Sequence, residues 1–183
     1  MKMDGVRRQT LNSEASSFSP PLEERYFEDY LPGFTYECGT IAVQEVEMID
    51  FARRFDPQPF HTDPVVAKQS VYGGIIASGW YTVSLTMRAM VDHYVSSVAS
   101  LGSPGVDEIR WLKPVRPGDT LSVSVTLLKA RRSRSKPHRG IIHGLTEVLN
   151  QTGEVVMTLK SVGFVQCRNT NGSDPLAIDT DAH

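Results

Sequence analysis

Three features of this 183-residue sequence predict an α+β domain, with antiparallel strands packed around one central helix. The segment from Trp80 to Val95 carries apolar residues on nearly all sides. Leu121-Ser-Val-Ser-Val-Thr-Leu127 alternates with a period of two, and two more strand-like runs follow it. A helix that is apolar all round belongs in a core, and alternation marks a strand with one buried face. Strands gathered beside one such helix make an α+β layer.

In chain order, residues 1–30 read as a flexible extension, since the first twenty are rich in Ser and charge and lead into Pro20-Pro21. One domain is expected over 31–168, with a second flexible tail over 169–183. Phe34 to Val43 predicts the first strand. Gln44 to Phe55 predicts a helix, because Val46, Ile49, Phe51, Ala52 and Phe55 recur at three- and four-residue spacing. Asp56-Pro57 stops it, since proline disfavours helical geometry in the residue before it. Pro57, Pro59 and Pro64 stiffen the next segment into an irregular loop, with a short helix after Pro64. Gly73-Gly74 breaks the chain again ahead of the long apolar helix at Trp80. From Val106 the period becomes two. A turn at Pro117-Gly118-Asp119 precedes the alternating strand, and strands over Ile141–Leu149 and Glu154–Gln166 are joined at Asn150-Gln-Thr-Gly153.

The totals narrow the function classes. A composition 40% hydrophobic and 22% charged is ordinary for a soluble globular protein. A net charge of -2 gives no electrostatic reason to expect nucleic acid or an anionic membrane as partner. No apolar run approaches the ~20 residues a membrane helix needs. The N-terminus lacks the apolar stretch of a signal peptide, so a cytoplasmic location is expected. Cys38 and Cys167 form no metal-binding spacing and are expected as reduced thiols. Nothing calls for a metal or a redox cofactor.

The chemistry concentrates in Phe55-Asp-Pro-Gln-Pro-Phe-His61-Thr-Asp-Pro64, where a carboxylate and an imidazole stand five residues apart in a stiff loop. A general acid/base must be held within hydrogen-bond reach of the atom it serves, and such loops hold it. Spacing alone nevertheless favours a structural role, with Asp56 ending a helix and His61 hydrogen-bonded in a loop. His61-Thr-Asp63 lacks a third ligand at a spacing that would suit a metal. The run Arg131-Arg-Ser-Arg-Ser-Lys-Pro-His-Arg139 is the most basic in the chain. It reads equally as a solvated hairpin turn and as a site for phosphate oxygens, which suit arginine forks. It contains no aromatic residue for base stacking.

The loop closely resembles the hydratase-2 motif of MaoC-like dehydratases, Asp-x-Asn-Pro-(aliphatic)-His-x-Asp-Pro. Gly73-Gly-Ile-Ile-Ala-Ser-Gly79-Trp80 and Ile109-Arg-Trp-Leu-Lys-Pro-Val-Arg-Pro-Gly-Asp119 are similar to two further elements of that family. The resemblance covers about 33–167. It implies a hotdog fold, a five-stranded antiparallel sheet wrapped around a long central helix, in a homodimer or higher homo-oligomer. It also implies an (R)-specific enoyl-CoA hydratase or 3-hydroxyacyl-CoA dehydratase, with coenzyme A present only as part of the substrate. An acyl carrier protein thioester is the other carrier to consider. Asp56 and His61 match the catalytic pair, and Gly79, eighteen residues after His61, matches the glycine whose N–H polarises the thioester carbonyl. Independently of the family, a helix N-terminus favours developing negative charge.

Gln58, Phe60, Ser78 and Trp80 flank these three residues and are expected to line the substrate site. Arg110, Lys113, Arg134 and Lys136 are expected at the coenzyme A phosphates, with Arg116 as a further candidate. Gln58 and Phe60 depart from the motif's Asn and aliphatic residue, and Met87 stands where some hydratases place a serine; these changes leave the acyl chain open. A hotdog thioesterase and a non-catalytic acyl-thioester-binding module are the alternatives. The Asp/His spacing fits hydration better than the first, and the intact pair argues against the second.

Overall fold

The computed structural model describes residues 20–169. The expected elements all appear: β1 over Thr35–Ala42, α1 over Glu45–Phe55, a helical turn α2 over Pro59–Thr62, α3 over Pro64–Gln69 and α4 over Gly79–His93. Four strands follow, β2 over Gly105–Trp111, β3 over Thr120–Arg132, β4 over Arg139–Leu149 and β5 over Val155–Gln166. They form one antiparallel sheet in the order β1-β3-β4-β5-β2. The sheet curls around α4, which is the hotdog arrangement.

Alternation decides which face of the sheet meets the helix. Leu121, Val123, Val125 and Leu127 of β3 are buried, and so are Ile142, Thr146 and Val148 of β4. From α4, Tyr81, Thr82, Thr86, Ala89 and Met90 pack inward, with the Thr146 hydroxyl 3.9 Å from the Met90 sulfur. The opposite side of α4 is not covered in this chain. Trp80, Met87 and Val91 are about half exposed, so the all-round apolar helix is buried along one side only. The sheet is a single layer, and its curvature encloses one side of a cylinder.

The expected flexible extension reached residue 30, but its last part is packed. Leu22–Glu24 and Phe27–Asp29 form two 3-10 turns, and Phe27 and Tyr30 are in the core. Phe27 lies on Gly140 of β4 so closely that a methyl group at Gly140 would fall within the phenyl ring's own space. The Arg25 guanidinium donates to the carbonyls of His93 (3.0 Å) and Tyr94 (2.9 Å), satisfying the last turn of α4. Polar composition concealed a segment whose few large side chains each find a specific seat. The rest of the extension and the C-terminal tail from residue 170 lie outside the described residues. Cys38 and Cys167 are both buried, free thiols. Among the described residues no helix is long and apolar enough to cross a membrane.

Removing the Phe27 ring leaves a void over Gly140 that neither β4 nor α4 can fill. Phe27→Ala is expected to lower stability by about 3–5 kcal/mol, read as a shift in the urea midpoint; a change below 1 kcal/mol would show that the segment merely rests on the surface.

Candidate active site

Prolines shape the turn between α1 and α3. Asp56, restricted by Pro57, leaves the helix at φ -150°, ψ 66°, while its N–H still donates to the Ala52 carbonyl at 2.8 Å. Pro59 and Pro64 open α2 and α3, at positions where a missing N–H costs nothing. The Asp63 carboxylate caps α3 by accepting from the Val65 and Val66 amides, which gives it a structural task. The two short helices turn His61 inward, to 6% exposure.

His61 Nδ1 lies 2.9 Å from the Ile76 carbonyl oxygen. A carbonyl only accepts, so Nδ1 carries the proton and a neutral ring keeps its lone pair on Nε2. Nε2 faces Asp56 Oδ2 at 3.4 Å, longer than a normal direct hydrogen bond. Each Asp56 oxygen also accepts one other bond, Oδ2 from the Ser78 hydroxyl at 2.7 Å and Oδ1 from Gln58 Nε2 at 2.7 Å, which leaves each a further lone pair. Burial pushes the Asp56 carboxyl up. The hydrogen bonds from Gln58 and Ser78, with His61 nearby, outweigh that and hold it below the ordinary carboxylate value. Asp56 is therefore ionised at neutral pH.

The segment before α4 is stitched to both neighbours, with Ile76 N–H donating to Phe60 O (3.2 Å) and Ala77 N–H to Val115 O (2.8 Å). This sets Gly79 at the first position of α4, and Ser78 caps the helix by accepting from the Trp80 N–H at 3.3 Å. The Gly79 N–H is among the first four of the helix, which have no acceptor within it. A side chain is excluded there for want of space, because a methyl group would lie 2.5 Å from the Trp111 indole.

Asp56, His61 and Gly79 line one cavity of about 550 Å³, together with Gln58, Phe60 and Trp80. That volume is in the range of ligand clefts. Phe60 packs edge-on against the His61 ring, with centroids 4.5 Å apart. Lys113 also lines the cavity, with its ammonium paired to Glu154.

Other expected substrate contacts differ. Ser78 is fully buried and its hydroxyl is committed to Asp56, so it orients the carboxylate and does not reach a ligand. Arg110 points along the edge of β2 to Glu108 at 3.2 Å. Arg134 and Lys136 sit in the β3–β4 turn, at the far end of α4. The neighbouring Arg132 pairs there with Glu28 at 3.1 Å, close to the Arg25 that caps the last turn of α4. The fifteen residues of α4 put about 22 Å between its two ends. Arg116 donates to the Tyr72 carbonyl at 2.7 Å and braces the loop over the cavity.

Sequence reasoning missed three contributors: Tyr72, Trp111 and the Ile76 carbonyl. Trp111 stood inside a quoted motif and could have been singled out as its only large aromatic; a backbone carbonyl leaves no trace in composition or spacing. Among the described residues no three His, Cys, Asp or Glu side chains are grouped to hold a metal ion.

A family model described as "MaoC like domain" matches residues 31–148. The MaoC-like dehydratase from Rhodospirillum rubrum is 37% identical in sequence and superposes with a TM-score of 0.74, covering 79% of this chain and 99% of that one. Protein MaoC of Klebsiella aerogenes is 28% identical over 103 residues, which is 56% of this chain and 30% of that protein. Mesaconyl-CoA hydratase of Cereibacter sphaeroides is 35% identical over 88 residues, 48% of this chain and 24% of that enzyme. The chain thus spans less than a third of the length of either of these last two proteins.

Removing the Ser78 hydroxyl takes one donor from Asp56. Ser78→Ala is expected to raise the Asp56 pKa, read by ¹³C-carboxyl titration. Because the folded value is depressed, the stability Asp56 contributes is present above the unfolded value of about 3.9. It is lost as pH falls from there through the folded value, and in Ser78→Ala the contribution is smaller and its loss is complete at a higher pH. An unshifted titration would show that the Ser78 bond carries no electrostatic weight.

Proposed function

The chain belongs to the MaoC-like domain family, and on that premise we propose that it is a hydro-lyase acting on an acyl thioester. The reading is of the enoyl-CoA hydratase / 3-hydroxyacyl-CoA dehydratase type, (R)-specific, with coenzyme A as part of the substrate. One observation carries it: a buried His61 with its Nε2 lone pair turned toward an ionised Asp56, in the same cavity as the amide at the start of α4.

The chemistry follows from unfilled hydrogen-bonding capacity. Two acceptors, His61 Nε2 and Asp56 Oδ2, face each other across 3.4 Å. A water that donates one hydrogen to each satisfies both, and its own lone pair is left free for the β-carbon of a trans-2-enoyl thioester. The water oxygen bonds to the β-carbon. The proton taken up by the pair returns to the α-carbon, so neither residue changes over a turnover. Electron density displaced from the double bond gathers on the thioester oxygen, where the Gly79 N–H and the positive end of α4 meet it. Dehydration of the 3-hydroxyacyl thioester runs through the same groups in reverse.

The rings of Phe60 and Trp80 suit an acyl chain, and Lys113 at the cavity edge suits a phosphate of the carrier. The half-exposed Trp80, Met87 and Val91 on α4, beside Val106 and Leu112 near the sheet edge, support pairing of two copies into a homodimer. Exposed apolar side chains grouped on a surface mark interfaces.

With crotonyl-CoA and longer or branched enoyl-CoAs, loss of enoyl absorbance is the expected activity. Asp56→Asn and His61→Ala should each lower kcat by about 10²–10⁴-fold while the far-UV spectrum and melting temperature stay near wild type. Release of free coenzyme A without hydrated product would sink the hydratase reading in favour of a thioesterase.

A further inference from the structure

Glycine has the widest backbone freedom of any residue, yet an oxyanion donor works only if its N–H direction is fixed before the charge forms. Each peptide unit is planar and rigid, so the Gly79 N–H lies in the Ser78–Gly79 unit, and its direction relative to the rest of α4 follows from the Gly79 dihedrals that join this unit to the Gly79–Trp80 unit. The first, from Ser78 to Gly79, is held at its carbonyl by the Thr82 N–H at 3.1 Å and beside it by the Ser78 hydroxyl, which binds both Asp56 and the Trp80 amide. The second, from Gly79 to Trp80, is held from outside the helix as well as by the helix itself. Trp111 Nε1–H donates to the Gly79 carbonyl at 3.0 Å.

The same indole lies flush on the Gly79 Cα, occupying the place of a side chain: an added methyl group would meet Cε2 at 2.5 Å and Nε1 at 2.6 Å. Trp111 is itself fixed by the sheet. It ends β2 opposite Met157 of β5, and the next residue, Leu112, donates its N–H to Val156 O at 2.8 Å. Its outer side packs against Trp80, with ring centroids 5.7 Å apart.

Resting on the hydratase reading above, we infer that Trp111 is a positioning residue for the reaction: it pins the Gly79 peptide so that the amide faces the thioester oxygen. Its indole restrains a glycine that has no side chain of its own to restrain it. The recognised species is the enolate-like thioester oxygen, and Trp111 acts on it only through Gly79.

The test compares wild type with Trp111→Phe, which keeps an aromatic ring without the N–H donor. A second variant carries 3-benzothienylalanine at position 111, which keeps the indole shape and replaces the N–H by sulfur. Two readouts are taken: kcat and KM on crotonyl-CoA, and the red shift of trans-cinnamoyl-CoA absorbance on binding, which reports polarisation of the thioester carbonyl. Both variants should lose about tenfold in kcat with KM changed less than about threefold, since a donor moved by a fraction of an ångström loses part of its effect. The bound red shift should shrink in both.

The inference is overturned if the benzothienyl variant, with a wild-type melting temperature, keeps the wild-type kcat and red shift. It is equally overturned if only KM rises, since Trp111 would then be a wall of the cavity. Should wild type itself neither hydrate crotonyl-CoA nor shift cinnamoyl-CoA, the hydratase reading fails first and the inference falls with it.

Discussion

The Ser78 hydroxyl donates to Asp56 and accepts from the Trp80 amide, so one buried atom joins the Asp56–His61 turn to the first turn of the central helix. Without that atom the Asp56 carboxylate would lose a donor and α4 its cap. Leaving a buried polar group unsatisfied costs on the order of 1–3 kcal/mol. The two halves of the site come from segments separated by the α2–α3 turns and by the loop over the cavity. Their relative position is set here, and the stitches from Ile76 to Phe60 and from Ala77 to Val115 keep the strand-like segment before Ser78 in line.

The electrostatics are balanced around this junction. An ionised Asp56 beside the start of α4 is favoured by the helix dipole and by two strong donors. A second negative charge developing on a substrate oxygen would be repelled by the same carboxylate. Two donors on Asp56 stabilise its charge, and in the proposed reaction the Gly79 amide remains for the substrate oxygen. His61 is held differently. Its Nδ1–H is committed to a backbone carbonyl that cannot titrate or rotate away, so the tautomer is fixed by the main chain.

The far end of α4 is governed by another set of contacts. Arg25 closes the helix, Phe27 covers Gly140, and Glu28 pairs with Arg132 at 3.1 Å. The hairpin basic run is thereby drawn partly into the structure, since Arg132 is shielded and Arg139 lies over the Phe164 ring at 4.0 Å. Arg132 thereby helps to seat the N-terminal segment, and the Gly79 end of the helix is left with Lys113 near its cavity.

Periodicity alone determined the strands, the helices and their order, because alternation and three-to-four spacing are local properties of side-chain direction. The stiff Asp56–His61 turn was also legible, since proline acts on its own backbone, while the glycine eighteen residues later stood out through the resemblance to MaoC-like dehydratases. The tertiary structure alone decided what holds these residues. The Ile76 carbonyl, the Ser78 hydroxyl and the Trp111 indole meet their partners 15, 22 and 32 residues away. A hydrogen bond's direction depends on how distant segments pack, and spacing within one segment carries no information about it. For the same reason composition mistook 22–30 for a loose extension and placed Arg134 and Lys136 at a site that lies at the other end of the helix.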